Sequence, residues 1–148
     1  MSKTTLALLV GGLLPAVLFG VASTFQKTAA RAGIGTGPYL IAIGAVVLLI
    51  GGAVTVAQSD STATRAGAAW ACGYGVLWSA AIGCIVLALS RYDANISQLV
   101  PLYNLNTLVA VAIGMAVLGE WREIVLWRVA AGAVLAVAGG VLVATAAR

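Results

Sequence analysis

Five long apolar runs, separated by short polar or basic segments, dominate this sequence. Hydrophobic residues make up 62% of the 148 residues and charged residues only 8%, whereas a soluble domain carries about 25% charged residues. A helix needs about 20 apolar residues to cross the hydrocarbon core of a bilayer. The sequence therefore predicts an all-α membrane protein, a single transmembrane domain over residues 1–148 with five transmembrane helices at about 5–26, 38–57, 67–89, 94–118 and 124–146.

The charged and reactive residues exclude several classes of function. The net charge is +4, but the basic residues lie at the ends of apolar runs, where they meet lipid headgroups rather than nucleic acid. The chain has no His and no cysteine cluster, so we expect no metal and no cofactor. Cys72 and Cys84 would lie about 18 Å apart on one helix, too far for a disulfide. Ser79 and Ser97 have no nearby base of the kind that a nucleophile needs, so we expect no enzyme.

The first run could be a signal peptide, because Lys3 precedes an apolar stretch that ends in small residues. The apolar stretch extends from about Leu6 to Phe25, longer than the roughly 7–15 residues of a signal-peptide core. A transmembrane helix is the favoured interpretation.

The run from Asp93 to Glu120 carries polar side chains where lipid-facing residues are expected. Polar groups at membrane depth usually face a protein interior or a wet cavity. Pro101 adds a freed backbone carbonyl at the same depth. We predict that this segment lines a substrate path, with Gln98, Tyr103, Asn104, Asn106 and Thr107 as candidates.

The two asparagines cannot share one cavity on a continuous helix, because two positions correspond to about 200° of rotation. Asn106 shares a face with Tyr103 and Thr107, which favours the path. Asn104 then bonds a neighbouring helix. For either asparagine alone, a structural hydrogen bond and a functional role remain open alternatives.

Other candidates lie on the first and third runs. Tyr74 and Trp78 share a helix face and form either an aromatic wall for a substrate, with a possible cation–π contact, or packing within the bundle. Gln26 and Lys27 either anchor the first helix at the interface or bind an anionic group at the path mouth. Pro15 and Pro101 are the predicted flex points.

Small residues recur every fourth position in the last run, and this stripe predicts close packing against another helix, within the chain or between chains. The stripe consists of Gly132, Ala136, Gly140 and Ala144.

Basic residues are balanced between the two predicted sides of the membrane. One side collects Lys3, Arg65, Arg122 and Arg128, and the other collects Lys27, Arg31, Arg91 and Arg148. The bias that normally fixes orientation is therefore absent. Either the chain inserts in both orientations and pairs antiparallel, or a few residues near the first helix determine a single orientation.

Three segments together resemble one EamA domain of the drug/metabolite transporter superfamily: FQK at the end of the first helix, SQLVPLYNLNTLVAVAIGMAVLGEW, and VAAGAVLAVAGGVLV. The resemblance implies a five-helix repeat. Family members commonly contain two such repeats with inverted orientation, so a single half-size EamA-like repeat implies an antiparallel homodimer. The superfamily's small multidrug resistance members use a membrane-embedded Glu on the first helix. This chain has no acid there: Asp60, Asp93, Glu120 and Glu123 all lie at predicted span ends.

The resulting expectation is a bacterial inner-membrane, multi-pass transporter that moves a small solute or lipid-linked metabolite by alternating access. Its partners would be membrane lipid, the substrate and a second copy of the chain. Two alternatives are a passive dual-topology channel and a non-transporting membrane partner subunit.

The level charge distribution predicts both orientations in one membrane. Single cysteines near either end of the chain, in a background with Cys72 and Cys84 replaced by Ser, should each be labelled from both sides by a membrane-impermeant maleimide. Additional Lys residues at one terminus should shift the two populations toward one orientation. A single orientation of the unmodified chain would contradict the antiparallel dimer.

Overall fold

The computed structural model describes residues 3–58, 62–117, 119 and 125–146. All regular structure in these ranges is helical, which confirms the predicted all-α class. The elements are α1 (Lys3–Leu8), a π-helical turn (Leu9–Leu13), α2 (Leu14–Arg31), α3 (Thr36–Ala57), α4 (Arg65–Arg91), α5 (Ile96–Tyr103), α6 (Asn106–Val117) and α7 (Leu126–Ala144). The polar turn predicted at 120–123, together with Asp60 and Arg148, lies outside the described residues.

Five helical segments are long and apolar enough to cross a membrane: Thr5–Arg31, Thr36–Ala57, Arg65–Arg91, Ile96–Val117 and Leu126–Ala144. This agrees with the five predicted helices in number and order. The first extends about one turn beyond its predicted end at residue 26. Insertion into a membrane and the EamA-like repeat remain predictions.

Apolar side chains in these segments are mostly exposed. At most 11% of the most apolar 18-residue window of any segment is buried within the chain. On α3, Leu48 is 77% exposed and Val56 is 88% exposed. Soluble monomers rarely present apolar patches of more than a few hundred Å², so this surface is suited to lipid or to another protein.

The contacts divide the chain into two compact units, residues 1–93 and residues 94–148. In the first unit α4 contacts both α2 and α3. Gly83 on α4 faces α3, where an added Cβ would lie 3.7 Å from the Thr36 methyl carbon. In the second unit α5 contacts α7. The prediction of a single domain over the whole chain stays a prediction.

Helix ends in the first unit follow local rules. Gly33 closes α2 at a φ of 84°, and its amide donates to the Ala30 carbonyl while the Ile34 amide donates to Ala29. These two bonds form a Schellman motif, which favours glycine at the left-handed position. Thr64 caps α4, because its side-chain oxygen accepts from the Gly67 amide at 3.1 Å.

A π-helical turn precedes Pro15, the first predicted flex point. The Leu14 amide donates to the Leu9 carbonyl five residues earlier, which widens the helix by one residue. Proline has no amide hydrogen, and its ring clashes with the carbonyl four residues earlier in a regular helix. The wide turn provides space for that ring and lets α2 continue from Leu14 to Arg31.

The fourth span is interrupted, whereas the sequence analysis assumed one continuous helix over 94–118. Pro101 lies inside α5, and the helix breaks at Asn104 and Leu105. The amides of Leu105, Thr107 and Leu108 donate to carbonyls three residues earlier, at 3.1, 3.1 and 3.0 Å. Shorter hydrogen bonds therefore satisfy these donors where the α-helix stops. The rotation assumed between Asn104 and Asn106 does not apply across this break.

Gly140 lets α7 approach α5 closely. It is buried, and a Cβ added there would lie 3.5 Å from a Leu105 methyl carbon and 3.6 Å from the Pro101 carbonyl oxygen. These are ordinary van der Waals distances for one carbon atom. A longer side chain has no comparable space.

Replacing Gly140 with Leu should destabilise the α5–α7 packing by about 1–3 kcal/mol, the usual cost of overpacking. Gly140→Ala should be tolerated, because one Cβ fits. Gly139→Leu is the matched control, since a Cβ there meets nothing within 4 Å. Thermal unfolding in detergent micelles measures the effect. Equal destabilisation by the two leucine substitutions would contradict this packing.

Candidate functional site

The buried face of α2 is polar in the first unit. Ser23, Gln26 and Lys27 are 8%, 6% and 7% exposed, and Ala30 completes the buried set. Their spacing of three and four residues places them on one side of the helix. On the opposite side, Phe25 is 70% exposed. The helix therefore buries polar side chains and exposes apolar ones, the reverse of a helix in a soluble protein.

Lys27 forms an ion pair with Asp93 at the end of α4. Its Nζ lies 3.0 Å from the Asp93 Oδ1 and donates a hydrogen bond to it. The two partners differ in environment, because the Lys27 side chain is 9% exposed and the Asp93 side chain is 94% exposed. A buried ammonium group requires a counter-ion, and Asp93 supplies it from the exposed side.

Asp93 adopts a conformation that is uncommon for an aspartate. Its φ is 46°, and it directly follows Tyr92, the C-terminal cap of α4. Glycine usually occupies the left-handed position after a helix, while Asp and Asn are tolerated there. An aspartate at this position brings a carboxylate to the helix end. The hydrogen bond from Lys27 and its positive charge lower the pKa of the Asp93 carboxyl, and the charge of Arg31 adds to this effect.

The predicted path-mouth pair thus lies on the polar face. Gln26 and Lys27 are both buried, and their roles as interface anchor or path mouth stay predictions. Tyr74 and Trp78 belong to the same unit and lie on α4. Tyr74 is 69% exposed, and Trp78 is half-buried. Their role in an aromatic wall stays a prediction.

In the second unit, the polar candidates surround the helix break. Asn104 caps α5, and Asn106 is the first residue of α6. The Asn104 carbonyl accepts from the Thr107 hydroxyl at 2.9 Å. Tyr103 is half-buried, while Asn104, Asn106 and Thr107 are exposed. The structure brings these four residues together, and their role in a path stays a prediction.

Gln98 connects α5 to α7. Its side-chain amide donates to the Ala144 carbonyl at 3.0 Å, and its side-chain oxygen accepts from the Asn95 amide at 3.4 Å. Ala144 ends α7, where backbone carbonyls lack partners within the helix. Gln98 therefore caps the end of α7, and this bond brings together two residues that the sequence analysis assigned to different roles.

The packing stripe on α7 divides into contacted and open positions. Gly140 faces α5 and Ala144 accepts the Gln98 bond. Gly132 and Ala136 are exposed, and a Cβ at Gly132 would meet nothing within 4 Å. The use of the stripe between chains stays a prediction.

An open groove of about 360 Å³ lies along α6 and α7. Its lining is apolar and excludes the polar candidates: Leu108, Val111, Ala112, Met115, Leu126, Val129, Ala130 and Ala133. Such a lining is suited to hydrocarbon rather than to a polar solute.

The sequence analysis did not predict the Lys27–Asp93 pair. A signal was present, because the predicted topology places the ends of the first and third helices on the same side of the membrane. Lys27 lies at one of these ends and Asp93 follows the other. Opposite charges at neighbouring helix ends are candidates for pairing.

The lowered pKa of Asp93 predicts a stability that depends on pH. A carboxyl whose pKa is lower in the folded protein stabilises the fold above its unfolded pKa of about 4. That contribution is lost as the pH falls through the lowered pKa. Unfolding in detergent should therefore show a steeper acid loss for the wild type than for Asp93→Asn below about pH 4. Parallel pH profiles for the two proteins would contradict the pairing.

No family model, curated protein or solved structure matches this chain. The resemblance to an EamA domain therefore depends on its three sequence segments alone. The polar face of α2 and the interrupted fourth span are the two structural features on which a functional proposal can be built.

Proposed function

We propose that this protein is a membrane transporter that moves a small solute or lipid-linked metabolite by alternating access, in the manner of an EamA-like half repeat. The observation that carries the proposal is the interruption of the candidate span Ile96–Val117 at Asn104 and Leu105. Irregular backbone at membrane depth is tolerated where it is buried in protein or lines a water-filled cavity. Transporters commonly bind substrates at such discontinuous helices.

The residues at the interruption are suited to solute binding. Asn104, Asn106 and Thr107 are exposed, so a solute could reach their polar groups without unfolding the helices. Asn side chains both donate and accept hydrogen bonds. The Thr107 hydroxyl donates to the Asn104 carbonyl, and its oxygen can still accept a hydrogen bond. None of these three side chains is charged. Recognition here would depend on hydrogen bonding and shape.

The proposed assembly is an antiparallel homodimer in a bacterial inner membrane. Three features support it: the level distribution of basic residues, the low burial of every candidate span, and the open positions on α7 at Gly132 and Ala136. In such a dimer the same polar segment would contribute twice to one central path.

A cysteine at position 106 tests the path without knowledge of the substrate. In a background with Cys72 and Cys84 replaced by Ser, Asn106→Cys should react with a membrane-impermeant maleimide, because a water-filled path makes the thiol accessible and ionisable. Leu48→Cys is the control: Leu48 lies near the middle of α3, 77% exposed, on a helix without polar candidates. Equal, slow labelling at positions 106 and 48 would contradict the path.

Flux through proteoliposomes separates the three candidate activities. A transporter gives slow, saturable exchange, and a channel gives fast flux that does not saturate with solute concentration. A partner subunit gives no flux. A panel of labelled amino acids, sugars and quaternary ammonium compounds, tested against protein-free liposomes, covers the main classes of small solute.

A further inference from the structure

The ion pair in the first unit is asymmetric, and this asymmetry indicates a binding site. The Lys27 ammonium group lies on a side chain that is 9% exposed, whereas its carboxylate partner is 94% exposed. Packing of α2 against α4 holds the cation in place. The Asp93 carboxylate is open to the exterior on most sides.

An exposed counter-ion is exchangeable. The Asp93 carboxylate is 94% exposed, so water and salt compete with its bond to Lys27. The buried ammonium group nevertheless needs an anion at all times. Another anionic group that reaches the position of the Asp93 carboxylate can therefore replace it, and the cation remains neutralised.

The backbone around Asp93 permits this exchange. Residues 92–95 are non-helical and connect α4 to α5, so the carboxylate can move away without unwinding a helix. Its left-handed conformation is one that glycine would adopt more readily. The aspartate is thus a less favourable choice for the turn, and it places a negative charge 3.0 Å from Lys27.

The surroundings of Lys27 favour anions. Gln26 places a side-chain amide on the same buried face, where it can donate hydrogen bonds to oxygen. The Ser23 hydroxyl lies on this face too and donates to the Phe19 carbonyl at 2.8 Å, so it would have to turn to donate to a ligand. Arg31 is exposed one turn further along α2 and lies close enough to lower the pKa of Asp93. A cation and polar donors on one face are the features that bind carboxylate and phosphate groups.

We propose that Lys27, Ser23 and Gln26 form a binding site for an anionic group, a carboxylate or a phosphate, and that the Asp93 carboxylate occupies this site until the ligand displaces it. The identification of this ligand as the transported solute rests on the proposed function. The anion itself can belong to a soluble molecule or to a lipid headgroup. Asp93 competes with the ligand for Lys27 and is covalently attached to the same chain.

Binding of inorganic phosphate and acetate tests the site directly. The full-length protein in phosphatidylcholine nanodiscs is titrated with each anion at constant ionic strength, and the apparent Kd is obtained from the ligand-dependent rise in Tm. Asp93→Asn preserves the left-handed turn and removes the competitor. It should lower the Kd by about twofold to fivefold, the range that an exposed ion pair allows.

The control variants separate this site from general electrostatics. Lys27→Gln should abolish binding, and Lys27→Arg should retain it, which guards against misfolding of the first variant. Arg65→Gln removes one positive charge at the other end of α4 and should change the Kd by less than about twofold. Matched nanodiscs that contain phosphatidylglycerol identify the source of the anion. If Asp93→Asn binds soluble anions more tightly than the wild type, the ligand is a solute. If the protein is stabilised only in the phosphatidylglycerol nanodiscs, the ligand is a lipid headgroup.

Several results would overturn the site. These are the absence of binding in every variant and lipid, unchanged affinity in Asp93→Asn, or undiminished affinity in Lys27→Gln. The outcome is independent of the labelling at position 106. Loss of anion binding with labelling at position 106 intact removes the site and leaves the transporter proposal in place. Anion binding without labelling or flux keeps the site and removes the transporter proposal.

Discussion

Backbone amide and carbonyl groups in hydrocarbon have no water to bind, so each must find a partner within the protein. The described candidate spans meet this requirement with helices, and their interruptions meet it with other hydrogen bonds. At Pro15 the chain inserts a wide turn whose amide bonds reach back five residues. At Asn104 and Leu105 it uses bonds that reach back three. Both solutions keep these backbone groups paired near a proline.

Side chains follow the same requirement. The polar groups of α2 lie on the buried face, and the Lys27 ammonium group is neutralised by Asp93. Gln98 satisfies the last carbonyl of α7. The polar residues of this chain thus form two kinds of contact. Some complete the bonding of neighbouring helices, and others, such as Asn106, are exposed at the interruption.

The number, order and approximate extent of the helices were predictable, because length and hydropathy alone determine them. The position of the interruption was not. Pro101 marks a weak point, but the break occurs three residues later, where short hydrogen bonds become possible. Gln26 and Lys27 were grouped because both lie at the end of the first predicted helix, yet their burial depends on contacts between α2 and α4, which no local pattern encodes. The role of Gln98 depends on Ala144, far along the chain, and periodicity within one helix carries no information on that pairing.

Because synthesis proceeds from the N-terminus, the two units acquire their internal contacts at different times. The Lys27–Asp93 pair can close as soon as residue 93 has left the ribosome, since both partners belong to the first unit. The contacts of α5 with Gly140 and Ala144 must wait until α7 has been made. During that interval α5 lacks the helix that packs against it. One part of the interrupted span, α5, therefore acquires these native contacts only after the chain has been made as far as Ala144.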